Sequence, residues 1–195
     1  GDQIVRSYEV DGDEQVIDAA ARQWMASAIV NLLRQSGIDA AKRIARIQSK
    51  GGVPAVLDEI ELIRGDHARG LYLAALFEQP NLSAGDLDRA LQLAAAMESD
   101  YSRRTALEVA LARQTLTPER QVALLHTVAG FESDYDRRML LVATAPLLAT
   151  DDRALQAWFD ALAACHSDYD TRMSLEAVLA RDQLAARVEG VFGAQ

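Results

Sequence analysis

Along most of the chain apolar residues recur at spacings of three and four, the mark of helices that bury one face. The start differs. Ile4, Arg6, Tyr8 and Val10 share one parity and Val5 and Glu9 the other, which predicts a short strand over 4–10, and Asp11-Gly12 follows as a turn signal. From about Asp13 onward the pattern is helical. A first long helix is predicted over about 14–36, with apolar positions Val16, Ala20, Trp24, Ile29, Leu32 and Leu33, ending at Ser36-Gly37. Asp39 is placed to cap a second helix over about 40–50, which carries Ile44 and Ile47 on one face. Gly51-Gly52 interrupts it, and Pro54 opens a third with Leu57, Ile60 and Ile63 in register.

The pattern then repeats. Ser-Asp-Tyr occurs at Ser99–Tyr101, Ser133–Tyr135 and Ser167–Tyr169, so successive tyrosines lie 34 residues apart. A fixed period of that size marks an array in which each unit buries its apolar face against the next. The units run over 67–100, 101–134, 135–168 and, shortened, 169–195, with His67 at the tyrosine position of the first. Leu73, Leu107, Leu141 and Leu175 recur in each, followed by Phe77, Leu111, Ala145 and Leu179. The second helix of each unit starts near Ala84, Pro118 or Asp152. Its stripe is Leu87/Leu91/Ala94/Met97, then Val122/Leu125/Val128/Phe131, then Leu155/Phe159/Leu162/Cys165. Pro146 falls inside a first helix and predicts a local bend there. The expected fold is all-α: a right-handed α-α superhelix of helical hairpins with a period of about 34 residues. Residues 1–12 are expected to be a strand or tail left from a trimmed N-terminal region, since the chain opens on Gly1 without an initiator Met. Residues 13–195 then form one domain with its long first helix as a cap.

Within the recurring Ser-Asp-Tyr-x-Arg-Arg segment, Ser and Asp are preferred helix N-caps. The tyrosines Tyr101, Tyr135 and Tyr169 fall on the first turn, where a ring can pack and a hydroxyl can reach water or a partner. The arginines are less expected, because a cation at a helix N-terminus faces an unfavourable dipole. Arg69, Arg103 and Arg137 form one column and Arg104, Arg138 and Arg172 another, expected beside Asp100, Asp134 and Asp168. Two roles follow: an inter-repeat ladder of Asp–Arg bonds that sets the stacking register, or a row that binds anions or carboxylates. Repetition favours the ladder, because a binding site seldom needs the same residues in every unit.

Composition narrows the function. With 20 basic against 29 acidic residues the net charge is −9, which opposes attraction to nucleic-acid phosphates and anionic membranes. No apolar run approaches the roughly 18–20 residues that cross a bilayer. Lys42, Arg43, Arg46 and Lys50 make one basic helix, read as a solvated face opposite Asp58, Glu59 and Glu61. Cys165 is the only cysteine, so no internal disulfide exists; it sits on a core stripe and is read as buried. Neither Cys165-His166 nor His126 has the neighbours of a metal site. Trp158, beside Phe159, reads as core rather than as an interface anchor. No phosphate loop, nucleophile elbow or His-Glu-x-x-His is present, so no catalytic, cofactor or metal residues are assigned and no enzyme is expected.

A 34-residue period suggests tetratricopeptide repeats, but their Trp-Leu-Gly-Tyr pattern is absent and Pro118 begins a helix rather than ending a unit. The chain is more similar to HEAT-type helical arrays. Ser133 to Arg138, Ser-Asp-Tyr-Asp-Arg-Arg, resembles helical repeats of uncharacterised bacterial proteins and of the extracytoplasmic parts of some membrane-anchored metallopeptidase sensors, over about 38–195. The peptidase zinc motif is missing, so no peptidase activity is implied. The expected role is a non-catalytic module for protein–protein interaction or scaffolding. The alternative is a regulatory or sensory domain of a bacterial envelope protein that binds a peptide or small ligand. A protein partner is expected, nucleic acid and membrane insertion are not, and a homodimer through the C-terminal end is an expectation from the shortened last unit.

Overall fold

The computed structural model describes residues 7–148 and 151–180. Among these the fold is all-helical apart from one two-stranded antiparallel sheet. Strand β1 (Glu9–Val10) pairs with β2 (Asp13–Glu14) across Asp11-Gly12, whose positive φ values of 55° and 92° suit a two-residue hairpin turn. Residues 4–6 of the predicted strand lie outside the described residues. The helix expected from about residue 14 is corrected by this pairing, since Asp13–Glu14 are the return strand. Helix α1 (Ala19–Ser36) starts later, where Asp18 accepts a bond from the Ala21 N–H at 2.8 Å.

Gly37 ends α1 at φ 69°, and helix α2 (Ala40–Glu61) follows. The backbone of α2 breaks at Gly52 (φ 72°, ψ −171°), where a glycine supplies a conformation that side-chain-bearing residues rarely adopt. Asp39 does not act as the expected side-chain cap; it sits at φ 55° and pairs with Lys42 at 3.2 Å instead. Seven helices remain: α3 (Asp66–Phe77), α4 (Ala84–Ala95), α5 (Asp100–Arg113), α6 (Pro118–Ala129), α7 (Asp134–Thr144), α8 (Asp152–Ala163) and α9 (Asp168–Leu179). They pack in two series: α3 against α5, α5 against α7 and α7 against α9, and α2 against α4, α4 against α6 and α6 against α8.

The core lies between the series. Leu73, Leu107 and Leu141 are buried with Phe77, Leu111 and Ala145, as are Leu87, Ala94, Met97, Leu125, Val128, Phe131, Leu155 and Leu162. On α9 the same face is more open, with Leu175 half-buried and Leu179 exposed. The part of the shortened unit over 181–195 lies outside the described residues. Cys165 is half-buried rather than buried, unlike Met97 and Phe131 at the equivalent positions.

At Pro146 the chain does not bend within a helix. Lacking an N–H, the proline closes α7 at Thr144, and a 3-10 turn (Ala145–Leu147) follows. The Leu141 carbonyl accepts the indole N–H of Trp158 at 3.0 Å. Trp158 is fully buried and meets Phe159 edge to face at 5.3 Å, which places it in the core.

Among the described residues, helix α1 is bonded to this body through its C-terminal end. Arg34 grips the Glu59 carboxylate with two bonds of 2.7 and 3.0 Å, and Arg43 adds two more at 3.2 and 2.7 Å. Burial pushes the Glu59 carboxyl up, but both guanidinium groups more than offset it, leaving the group below the usual carboxylate range. Gln35 donates to the Leu62 carbonyl and accepts from the Arg64 N–H. Of the residues of α1 only Ala21 is buried; Ala20, Trp24, Ile29 and Leu32 face solvent, as does Val16 just before the helix.

Trp158→Ala removes the largest buried side chain and is expected to destabilise the fold by about 3–5 kcal/mol in urea unfolding. Gly37→Ala would set a methyl 2.8 Å from Leu71 Cδ1 and 3.3 Å from the Ala68 backbone at a positive φ. It is expected to lower stability by about 1 kcal/mol or more in the same assay.

Candidate functional site

The signature builds three sets of bonds that recur along the odd-numbered helices. The first set is local. Ser99, Ser133 and Ser167 cap α5, α7 and α9, each hydroxyl accepting from the N–H three residues on, at 3.3, 3.2 and 3.3 Å. The second set crosses from one unit to the next. Asp66 Oδ2 accepts from the backbone N–H groups of Glu98 and Ser99 at 2.7 and 2.8 Å. Asp100 does the same for Glu132 and Ser133 at 2.7 and 2.8 Å, and Asp134 for His166 and Ser167 at 2.9 and 2.9 Å. The carboxylate that opens one helix thus holds the chain as it enters the helix two further on. Asp168, at the same position on α9, is exposed.

Arg69, Arg103 and Arg137 brace these carboxylates. Each lies beside the Asp of its own helix, at 4.0 Å for Arg69–Asp66 and 2.8 Å for Arg103–Asp100; Arg137 bonds Asp134 directly. Each also donates to a carbonyl of the preceding loop: Arg69 to Ile63 at 2.6 Å, Arg103 to Glu98 at 2.9 Å, and Arg137 to Phe131. Arg103 lies 4.7 Å over the Phe131 ring. A cation near a helix N-terminus is therefore matched by an acid at the first helical position and by carbonyls, which offset the dipole. In the fourth unit Thr171 takes this place.

The second column forms the third set, and its partners differ from those expected. Arg104 Nε bonds Asp136 at 2.5 Å and Arg138 Nε bonds Asp170 at 2.6 Å, both across to the next unit rather than to Asp100, Asp134 or Asp168. Arg104 also bonds Glu108 at 3.0 Å. Each guanidinium lies between two rings: Arg104 is 5.3 Å from Tyr101 and 5.7 Å from Tyr135, and Arg138 is 5.1 Å from Tyr135 and 5.7 Å from Tyr169. The result is an alternating row, Tyr101–Arg104–Tyr135–Arg138–Tyr169, in which the arginines are largely covered and the tyrosines stay more than half exposed. Arg172 continues the column on α9, exposed and bonded to Glu176 at 3.0 Å.

Asp136, Asp170 and Glu108 escape a reading of the signature alone. A signal for them exists: the residue after the tyrosine is Asp wherever the preceding unit carries the second Arg. At the first junction Gly70 and Ser102 replace the pair, and a side chain on Gly70 would stand 3.3 Å from the Ser102 carbonyl.

A further set of ion pairs ties the even helices: Arg89 to Asp58 and Glu61 at 2.7 Å each, Arg120 to Asp88 at 2.6 Å, and Arg153 to Glu119 at 3.3 Å. Asp58 and Glu61 thus serve α4 while Glu59 serves Arg34 and Arg43, so the acids do not simply face the basic stretch of α2. Between α4 and α6 a cleft of about 160 Å³ is walled by Leu91, Ala95, Leu107, Ala123 and Leu124, with the Asp88–Arg120 pair beside it. Burial pushes the Cys165 thiol up against the opposing pull of Arg137, so the thiolate is disfavoured. His126 and His166 are exposed, and among the described residues no group of three His, Cys, Asp or Glu side chains converges to hold a metal ion.

Compared with known protein families, with curated proteins and with solved structures, the chain matches none.

Burial pushes the Asp134 carboxyl up, but the His166 and Ser167 N–H groups and Arg137 outweigh it, holding the group below its ordinary value. Its contribution is full above the unfolded carboxylate value of about 4 and is lost as pH falls through the lower folded value. Asp134→Asn is expected to cost about 1–3 kcal/mol at pH 7, with the gap to the parent chain closing below about pH 4 in urea titrations. A double-mutant cycle on Arg138→Ala and Asp170→Ala is expected to give a coupling of about 1–2 kcal/mol, as bonded half-buried charges do.

Proposed function

We infer that the chain is a right-handed α-solenoid of HEAT-like units and works as a non-catalytic module for protein–protein interaction or scaffolding. Support for the solenoid comes from the two helix series and from bonds that return every 32 or 33 residues along the chain. Support for a binding role rests on one observation, the exposed row of Tyr101, Tyr135 and Tyr169. Tyrosine is enriched in binding hot spots because a large, rigid ring is immobilised at small entropic cost. Here the rings are already ordered by Arg104 and Arg138, so a partner meets a preformed surface. The arginines are committed to carboxylates, which argues for the phenol rings, not the guanidinium groups, as the contact.

The test is photo-crosslinking from positions 101, 135 and 169 in cells of the source organism, with position 113 on the same helix series as control. One protein captured from all three tyrosine positions and not from 113 is the expected result. The triple variant Tyr101→Ala/Tyr135→Ala/Tyr169→Ala is expected to stay folded and to lose that protein. Turnover of a substrate by the isolated chain in a broad hydrolase screen would overturn the reading.

The cleft between α4 and α6 favours a second reading, a regulatory or sensory domain that takes a small apolar ligand or a peptide side chain. Its volume suits a benzene-sized group rather than a drug-sized molecule. Filling it by Ala123→Phe would then abolish ligand-induced stabilisation without unfolding the chain.

A further inference from the structure

Helix α1 carries an apolar face that nothing in the described residues covers. Trp24 is 61% exposed, Ile29 56% and Leu32 66%, and Val16 and Ile38 beyond either end are 85% and 59% exposed. Isolated exposed apolar residues are ordinary, but a continuous strip on one helix is not. Trp24, Ala28 and Leu32 stand four residues apart and so form one row along the helix. The small Ala28 at its centre would let a second helix approach closely. Tyr8 packs against Trp24 at 6.2 Å, which orders the indole while leaving it open to solvent.

Charge identifies what covers this strip. The N-terminal end of α1 is acidic: Glu9, Asp11, Asp13, Glu14 and Asp18 lie in and beside the hairpin, with no basic residue between 7 and 21. Asp11, Asp13 and Asp18 line a groove of about 610 Å³ between the hairpin and α1, with Trp24 at its side. The C-terminal end of α1 leads directly into the basic part of α2, where Arg46 and Lys50 are exposed and Lys42, also exposed, pairs with Asp39. A surface with acid at one end, base at the other and an apolar middle is complementary to itself when turned end for end.

We propose that α1 is a homodimer interface, in which the α1 helices of two copies pair antiparallel about a twofold axis at Ala28. About that axis Trp24 packs on Leu32 of the second copy, and Ala28 meets Ala28. Asp18 then falls opposite residue 38 of the second copy, next to its Lys42, and the acidic groove receives the basic start of α2. Val16 and Ile38 extend the apolar contact at both ends. This surface is separate from the tyrosine row, so the dimer and the binding role stand or fall independently.

The experiment is light scattering on the full chain at 1–100 μM, with a mass near twice 21.3 kDa as the expected result. Leu32→Glu places a charge in the middle of the strip and is expected to weaken dimerisation about 100-fold. Leu32 is exposed in the single chain, so the variant's circular dichroism should stay unchanged and its melting temperature should equal the parent's at dilutions where both are monomeric. Ala28→Cys in a Cys165→Ser background should oxidise to a disulfide-linked dimer, whereas Arg22→Cys in that background should not. Higher salt should weaken the dimer, and Lys42→Glu/Arg46→Glu should weaken it in turn, with Asp13→Lys/Glu14→Lys restoring it. A strict monomer at 100 μM overturns the proposal. So does a dimer that tolerates Leu32→Glu, or one in which position 28 does not cross-link.

Discussion

A carboxylate that accepts two backbone N–H groups from a segment 32 or 33 residues away is the contact on which the arrangement of the odd helices turns. Asp66, Asp100 and Asp134 each make it, with distances that agree within 0.2 Å between 2.7 and 2.9 Å. A helix start leaves donors unpaired, and the loop that precedes it leaves more. Supplying those donors from the neighbouring helix, rather than from water, makes the entry of each helix depend on the one before. Hydrogen bonds to a charged acceptor are worth about 1.5–3 kcal/mol, so two per junction outweigh most single surface contacts.

The arginines complete this contact. A bare carboxylate in a largely covered position would be costly, and the guanidinium groups of Arg69, Arg103 and Arg137 lower that cost from the same helix while satisfying loop carbonyls. Arg104 and Arg138 work differently. They reach to the next helix, and their charge is met by Asp136 and Asp170 from below and by tyrosine rings from either side. Buried polar bonds of this kind add less to stability than apolar packing would, but they define one register and penalise others, because a slipped helix would leave charges unpaired. The apolar stripes of leucine, alanine and valine cannot discriminate so sharply, since one alkyl surface accepts another.

Two surfaces stand out from this body for opposite reasons. The tyrosine row is exposed but held, each ring fixed by a cation beneath it. Among the described residues the α1 face is exposed, and the helix is tethered at its C-terminal end by Arg34, Gln35 and the close approach of Gly37 to Ala68. The first gains order from the polar network; the second keeps apolar area that the described residues leave uncovered.

Much of this was legible from residue order alone. Helix starts at Ala84, Pro118 and Asp152, the buried leucines at 73, 107 and 141, and the glycine interruption of α2 all follow from local rules, because spacing of apolar residues and caps acts within a few turns. Errors arose where a local rule was overridden. Asp13–Glu14 became a strand because the Asp11-Gly12 turn folded the chain back, and Asp39 took a left-handed backbone in place of capping. Pairing lay beyond reach. That Arg104 meets Asp136 rather than Asp100, that Glu59 serves two arginines, and that Trp24 faces solvent while Trp158 is enclosed depend on which helices become neighbours. Sequence by itself determined helices and their apolar stripes, since these arise from interactions within a few residues. Tertiary structure alone decided the charge partners and the uncovered face, since both depend on distances between residues far apart along the chain.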